Sequence, residues 1–396
     1  MAYTELVNRA GAVWEMAKNT DDFALFAPVL EELVACQRRF AAYYDPAKKP
    51  YDALLNEYER GTGMQQLDGF FGLLRQTIVP LLQAVREAGP VDDSFLYRHY
   101  PAAQQRLLSD YLMEVEGLDR SHCGIGETEH PFTLNFNNKD VRITTHYFED
   151  NVASSMYSVL HEGGHALYEL GIRDDLQYTC LAGGVSMGVH ESQSRFYENL
   201  IGRSLPFIEA VYPQMQSLFP QQLGDVTALQ FYRAVNRAVP GPVRLEADEL
   251  TYCLHIMVRY ELEKQLIDGA LAVKDLPGAW AALYREYLGV EVPNDRMGCL
   301  QDSHWSGGSF GYFPSYALGS AYGAQLLHCM EQQLDVWGAV AQGNLAPVTG
   351  WLREHVHQYG GLMEPAELIR SACGGPFDPH YYTDYLTRKF RALYRL

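Results

Sequence analysis

What the sequence lacks narrows it first. Its 396 residues hold no continuous apolar run near the roughly 20 residues that a membrane span takes. Basic residues are few: 31 Lys and Arg stand against 49 Asp and Glu, a net charge of −18, and no basic stripe is visible. A phosphate backbone needs such a stripe, so nucleic acid is excluded as a partner. The global charge says little about a small substrate, whose local field can differ. No C-x-x-C pair occurs, and the seven cysteines (Cys36, Cys123, Cys180, Cys253, Cys299, Cys329, Cys373) are scattered and odd in number. They read as free, mostly buried thiols in a reducing cytoplasm. The opening stretch MAYTELVNRAGAVWEMAKNTDDF mixes charge with apolar residues at helical spacing, so neither a secretory signal nor a transit peptide is expected. Repeats, low-complexity tracts and linkers are missing too.

What is present is an ordinary globular composition, 47% hydrophobic and 20% charged, long enough to bury a substantial core. Residues 1–118 alternate helical-period segments with short breaks and read as helical scaffold; FALFAPVLEELVACQRRFAAYY and MQQLDGFFGLLRQTIVPLLQAVREAG are the clearest. The character changes at His130-Pro131. FTLNF, a turn at Asn137–Asp140, and VRITTHYF predict a β-hairpin, the one substantial sheet expected. Such a strand can be purely structural, or can offer its edge to an extended peptide.

The chemistry centres on His161-Glu162-Gly163-Gly164-His165 within SMYSVLHEGGHALYELG, a helix by spacing. Residues i and i+4 share a helix face, so His161 and His165 can aim at one point while Glu162 flanks them. Two His ligands and an adjacent Glu suit a hydrolytic zinc site, the carboxylate serving as general base. With 13 His and 49 acidic residues, a His-acid-x-x-His run arises by chance roughly once in twenty such chains. The competing reading is a core helix with two hydrogen-bonded histidines. Two glycines in mid-helix speak against it, since each costs about 1 kcal/mol and calls for a close approach of something. Glu191 follows on a second helical run, VHESQSRFYENLIG, and completes a two-His-one-Glu set that leaves the fourth position to water. His190 competes with it, and being about a third of a turn away, only one of the two can face the metal.

Further on, VRLEADELTYCLHIMVRYELEKQLIDG reads as a long amphipathic helix with Arg244 at its start, where a surface ion pair is the plain alternative. Residues 294–323 loosen into a loop dense in glycine and aromatics, which suits closure over a ligand, and a Tyr or His there could donate to an oxyanion. His355 and His357, two apart, share no helix face and read as surface residues. Overall, one catalytic domain of residues 1–396 is expected, with scaffold over 1–118, active-site elements over 119–323 and scaffold again over 324–396.

Several blocks together resemble the M32 metallocarboxypeptidases, the thermostable or Taq-type carboxypeptidase family: Asp140–Thr144, HEGGH at 161–165, His190–Gln193, VRLEADELTY at 243–252, GCLQDSHW at 298–305 and GYFPSY at 311–316. The similarity runs from about residue 12 to the C-terminus, and against the family pattern the chain reads as N-terminally shortened. The resemblance implies a mainly α protein, a helical gluzincin-type metallopeptidase with a long groove, one small β-hairpin beside the zinc helix, and Zn2+ (Co2+ as a substitute). It implies His161, His165 and Glu191 as ligands, Glu162 as general base, and Arg244 on the substrate's terminal carboxylate. His304 with Tyr312 or Tyr316 would steady the oxyanion, and Arg142 and Asp140 form a hairpin pair that also meets substrate. The activity implied is stepwise release of single C-terminal amino acids with broad specificity, from peptides with a free carboxylate. A homodimer is usual in the family. A dipeptidyl carboxypeptidase or short-peptide endopeptidase, and a non-catalytic zinc-containing peptide-binding protein, are the rival functions.

Overall fold

The structure, a computed structural model, describes residues 2–396. By internal packing the chain forms two compact units: one is the chain up to Glu87 with Ala238–Ala317 and Leu396, the other is Ala88–Arg237 with Leu318–Arg395. The fold is mainly α with one small sheet.

The first unit opens with helices α1 (Ala2–Thr20), α2 (Phe23–Tyr44), α3 (Pro50–Tyr58) and α4 (Met64–Ala88). Asp22 starts α2 by accepting the Ala24 N–H at 3.0 Å. Phe26, Leu30 and Leu33 of α2 are buried, as are Leu67, Phe70, Phe71, Leu74 and Ile78 of α4, the three-and-four spacing visible in the sequence. The helix expected from Val243 begins only at Tyr252 and runs to Asp268, while Arg244 sits in a separate 3-10 turn, Arg244–Glu246. Nor is it amphipathic. Tyr252 to Tyr260 are buried without a break, because the polar members find partners inside: His255 Nδ1 meets the Tyr284 hydroxyl at 2.9 Å and Arg259 Nε donates to Asp302 at 2.7 Å. The loose stretch expected over 294–323 also ends early, with a helix over Pro314–Glu331; proline needs no partner for an N–H in a first turn.

In the second unit α5 (Ala102–Glu116) stops at Gly117, whose φ of +83° few other residues adopt. The sheet follows: β1 (Cys123–Glu127), β2 (Thr133–Asn137) and β3 (Asp140–Thr145), in the order β1-β3-β2. β2 and β3 form the expected antiparallel hairpin, bulged between Asn135 and Asn137. β1, unforeseen, runs parallel to β3 from Cys123↔Val141 to Glu127↔Thr145. Its sequence, CGIGE, carries no alternation; the parallel backbone pairing holds it, with Arg106 donating to Glu127 at 2.7 Å. β2 is therefore an edge strand. Its Thr133 and Asn135 side chains reach α6 (Val152–Gly171), while Leu134 and Phe136 are exposed.

α7 (Met187–Arg195) follows, continued by a π-helical turn over Phe196–Ile201. His357 corrects the surface reading: it is fully buried in a 3-10 turn, and its Nε2 meets Gln193 Oε1 of α7 at 2.8 Å. The notch it fills is Gly171, where an added Cβ would lie 2.5 Å from the His357 Cβ. Among the described residues no helix is long and apolar enough to cross a membrane, and all seven cysteines are free.

Candidate metal centre and active site

Two helix caps set the register of the site. Asn151 accepts the Ser154 N–H to start α6, and Ser186 accepts the Val189 N–H to start α7. One turn apart on α6, His161 and His165 present their Nε2 atoms to Glu191 Oε2 of α7 at 3.7 and 3.6 Å. The ligand atoms of these three residues all lie within 4.8 Å of one another, a group that could hold a metal ion. Ligands about 2.0–2.1 Å from a tetrahedral ion stand roughly 3.3 Å apart, so the observed spacing and the two-nitrogen, one-oxygen donor set fit a divalent cation.

The mid-helix glycines now have their reason. A Cβ on Gly164 would lie 2.4 Å from the Gln193 carbonyl oxygen, so α6 and α7 touch backbone to backbone there, and that approach brings Glu191 within reach. A Cβ on Gly163 would meet a Glu116 carboxyl oxygen at 2.3 Å. That carboxyl is fully enclosed without a hydrogen-bond partner, and burial pushes its pKa well above the usual range.

Charge is arranged tightly around these three side chains. Burial alone would lift the Glu191 carboxyl, but the Arg195 guanidinium, at 2.8 Å on its other oxygen, and the two imidazoles hold it well below the usual range. Burial likewise opposes a charged His161, yet Glu191, Glu198 and Glu162 outweigh it and lift the ring to about 9. Burial, with the neighbouring imidazoles, depresses His165 to about 3 against the pull of Glu191, so of the two rings His161 is the one that takes up the extra proton. Glu162, 7% exposed, is raised by burial, with Glu191 and Glu198 adding and His161 and Thr133 opposing. A carboxylate lifted this way is a better proton acceptor. The Thr133 hydroxyl, from β2, lies 2.6 Å from its Oε2.

In the first unit Arg244 is 6% exposed. Its Nε and Nη2 both go to Asp302 Oδ1, at 2.9 and 2.8 Å, and Nη1 donates to the Tyr252 hydroxyl at 3.3 Å. The side of the guanidinium fork is thus already taken, which leaves its outer edge for a ligand. Asp302 is shared with Arg259. His304 Nε2 meets the Tyr316 hydroxyl at 3.0 Å, and its Nδ1 is buried without a partner. Burial and the two arginines push this ring down to about 4 against Asp302, so it is neutral at physiological pH. Tyr312 stacks on it at 5.5 Å between centroids. Arg142, in the second unit, makes a two-pronged contact with Asp140 at 2.9 and 3.0 Å, exposed on β3.

The family described as Carboxypeptidase Taq (M32) metallopeptidase matches residues 1–390. Carboxypeptidase 1 of Bacillus subtilis (strain 168) is 42% identical over 396 residues, spanning 100% of this chain and 79% of that protein. Thermostable carboxypeptidase 1 of Thermus thermophilus is 40% identical over 98% of this chain and 78% of its own. The crystal structure of the M32 carboxypeptidase from Deinococcus radiodurans R1 superposes with a TM-score of 0.98 at 38% identity, covering 100% of this chain and 80% of that one. The chain belongs to the M32 metallopeptidase family. It is accordingly a peptide hydrolase of the carboxypeptidase kind, and a divalent metal is implied.

The structure of this M32 enzyme also brings in residues that motif reading passed over. Glu198 Oε2 takes His161 Nδ1 at 2.8 Å and is itself held by Arg195 and Arg203. Burial opposes its charge, but these partners bring its pKa down to about 2. Glu191, Arg195 and Glu198, at spacings of four and three, fall on one helical face, a signal present in the sequence. His190 is no rival of Glu191. It turns behind His165, with Nδ1 to Nδ1 at 2.7 Å, and its Nε2 meets Glu169 Oε1 at 2.7 Å. Nothing local in the sequence announces that contact or Thr133.

Proposed function

We propose that this M32 enzyme is a zinc-dependent carboxypeptidase that releases single C-terminal amino acids from peptides with broad specificity. The observation that carries the proposal is the convergence of His161, His165 and Glu191, with the raised carboxyl of Glu162 on the next residue. A divalent ion held by those three would acidify a water and polarise the scissile carbonyl. Glu162 then accepts the proton of the attacking water and passes it to the leaving amine. The Thr133 hydroxyl keeps one oxygen of that carboxylate occupied and so turns the other toward the water.

Arg244 binds the substrate's terminal carboxylate through the edge that Asp302 leaves open, and Asp302 holds the fork in place. His304, neutral, with Tyr312 or Tyr316, donates to the oxyanion; a donor of this kind is typically worth about 3 kcal/mol. Arg142 and Asp140 contact the peptide from the hairpin. Residues 1–396 are proposed to act as a single catalytic domain. Seven free thiols support a reducing cytoplasm. A homodimer is proposed from the family resemblance and is read by light scattering.

The test is metal analysis of the purified protein beside a time course of products from a peptide and its C-terminal amide. Zinc near one equivalent with single amino acids released from the free acid is expected. Dipeptides or internal fragments would move the assignment to a dipeptidyl carboxypeptidase or an endopeptidase. Metal binding without any product would leave a peptide-binding protein.

A further inference from the structure

We propose that His190 and Glu169 form, behind His165, a polarised hydrogen-bond relay that orients this ligand and sets how tightly the metal is held. The inference rests on the reading above that His161, His165 and Glu191 take the ion. It assigns a positioning role to two residues that touch neither metal nor substrate.

The polarity follows from donor and acceptor arithmetic. A neutral imidazole has one N–H and one bare nitrogen. His165 presents Nε2 to the site, so a metal there requires the His165 proton on Nδ1. Nδ1 lies 2.7 Å from His190 Nδ1, which must then accept. The His190 proton is left on Nε2, 2.7 Å from Glu169 Oε1. The other Glu169 oxygen accepts from Asn135 Nδ2 of β2 at 2.6 Å, so both oxygens are acceptors and the relay ends on a carboxylate. Every proton has one place. Reversing the first bond would put a proton on His165 Nε2, where the ion belongs.

The surroundings are built to hold this arrangement. Glu169 is 6% exposed. Gly184 has no room for a Cβ, which would lie 2.6 Å from His190 Cδ2 and 2.9 Å from the Tyr168 ring. The Val185 N–H donates to the Tyr168 hydroxyl at 3.2 Å, fastening the same loop over the His190 ring. His190 and Glu191 are neighbours about 100° apart on α7. One turn of helix therefore supplies a ligand and the support of another ligand. The two imidazoles are backed differently: His161 directly by Glu198, a carboxylate already paired with two arginines, and His165 through a second imidazole to Glu169.

The experiment measures metal affinity, not peptidase activity. Metal-free full-length protein is titrated with Zn2+ against a chromophoric chelator, and the Co2+ absorption spectrum is recorded in parallel. His190→Leu is expected to weaken zinc by about 10–100-fold and to alter the Co2+ spectrum. His190→Gln, which keeps an acceptor and a donor about as far apart as the ring nitrogens, should recover much of the loss, whereas a merely space-filling role would make Leu the better substitute. Glu169→Gln, which turns one acceptor into a donor facing Asn135 or His190, should also weaken binding, and it carries the test if His190→Leu does not fold. Zinc affinities within about threefold of wild type for His190→Leu and Glu169→Gln would overturn the relay while leaving the metal site standing. A wild-type chain that holds no ion overturns the metal reading and this inference with it.

Discussion

Replacing Gly164 by Ala tests the contact on which the metal group depends. On an open helix face the change stabilises by about 1 kcal/mol, because glycine is the poorer helix former. Here the new methyl would stand 2.4 Å from the Gln193 carbonyl oxygen and 2.8 Å from both the Gln193 carbonyl carbon and Ser194 Cα, where ordinary contact begins at 3.4 Å. The obstruction is backbone, which cannot rotate aside, so α6 and α7 must part by about 1 Å. Overpacking of this size costs about 1–3 kcal/mol, which cancels or exceeds the propensity gain. The metal group suffers more. Glu191 lies two residues before Gln193, and a 1 Å retreat would open its 3.6 and 3.7 Å spacings to the imidazoles well past what one ion spans. Zinc affinity should fall by at least about tenfold, measured by chelator competition, while the metal-free protein melts at or below the wild-type temperature. Gly69→Ala on α4, where nothing lies within 4 Å of the added Cβ, is the control and should melt higher. If Gly164→Ala binds zinc as tightly as wild type and gains stability like the control, the close approach of the two helices is not what places Glu191.

Glu162→Gln should retain zinc and lose turnover by about 10²–10⁴-fold, the usual worth of a general base; activity near wild type would mean another group takes the proton. Thr133→Val removes the hydroxyl 2.6 Å from that carboxylate and should lower kcat by about tenfold with zinc affinity unchanged, a split read by steady-state kinetics beside the chelator titration. Arg244→Ala should penalise peptide acids far more than their C-terminal amides, and equal losses on both would remove Arg244 from carboxylate binding. Glu263 predicts a pH effect on stability. Burial lifts its carboxyl from 4.5 to about 7, against the Tyr51, Trp305 and Gly311 donors and the charge of Arg259. With the folded pKa above the unfolded one, its contribution is fully present below about 4.5 and is lost as pH rises through 7, by about 3 kcal/mol at most. Denaturant melts of wild type and Glu263→Gln should therefore differ in pH slope between about 4.5 and 7, and parallel curves would refute the shift.

Much of the centre was legible because its geometry is local. His161 and His165 share a face by helix spacing alone, and the hairpin from Thr133 to Thr145 announces itself by β-branched residues around a turn. Reading failed where polarity was taken for exposure. His357 looked like a surface residue and is buried against Gln193, and the run from Tyr252 looked amphipathic and is enclosed, its His255, Arg259 and Glu263 each paired within the core. β1 failed for the opposite reason, since a glycine-rich strand held by backbone pairing leaves no side-chain pattern to read.

By itself the sequence determined the helix that carries two imidazoles and a carboxylate, the candidate third ligand, the acidic composition, and the resemblance to a metallopeptidase family. Only the tertiary structure decided that Glu191 and not His190 faces the two imidazoles, that Glu198 and Glu169 lie behind as hydrogen-bond partners of His161 and His190, and that Gly164 is where two backbones meet. The physical reason is range. Helical periodicity relates residues three or four apart, whereas each of those contacts joins segments 20 or more residues distant and exists only once the core has closed around them.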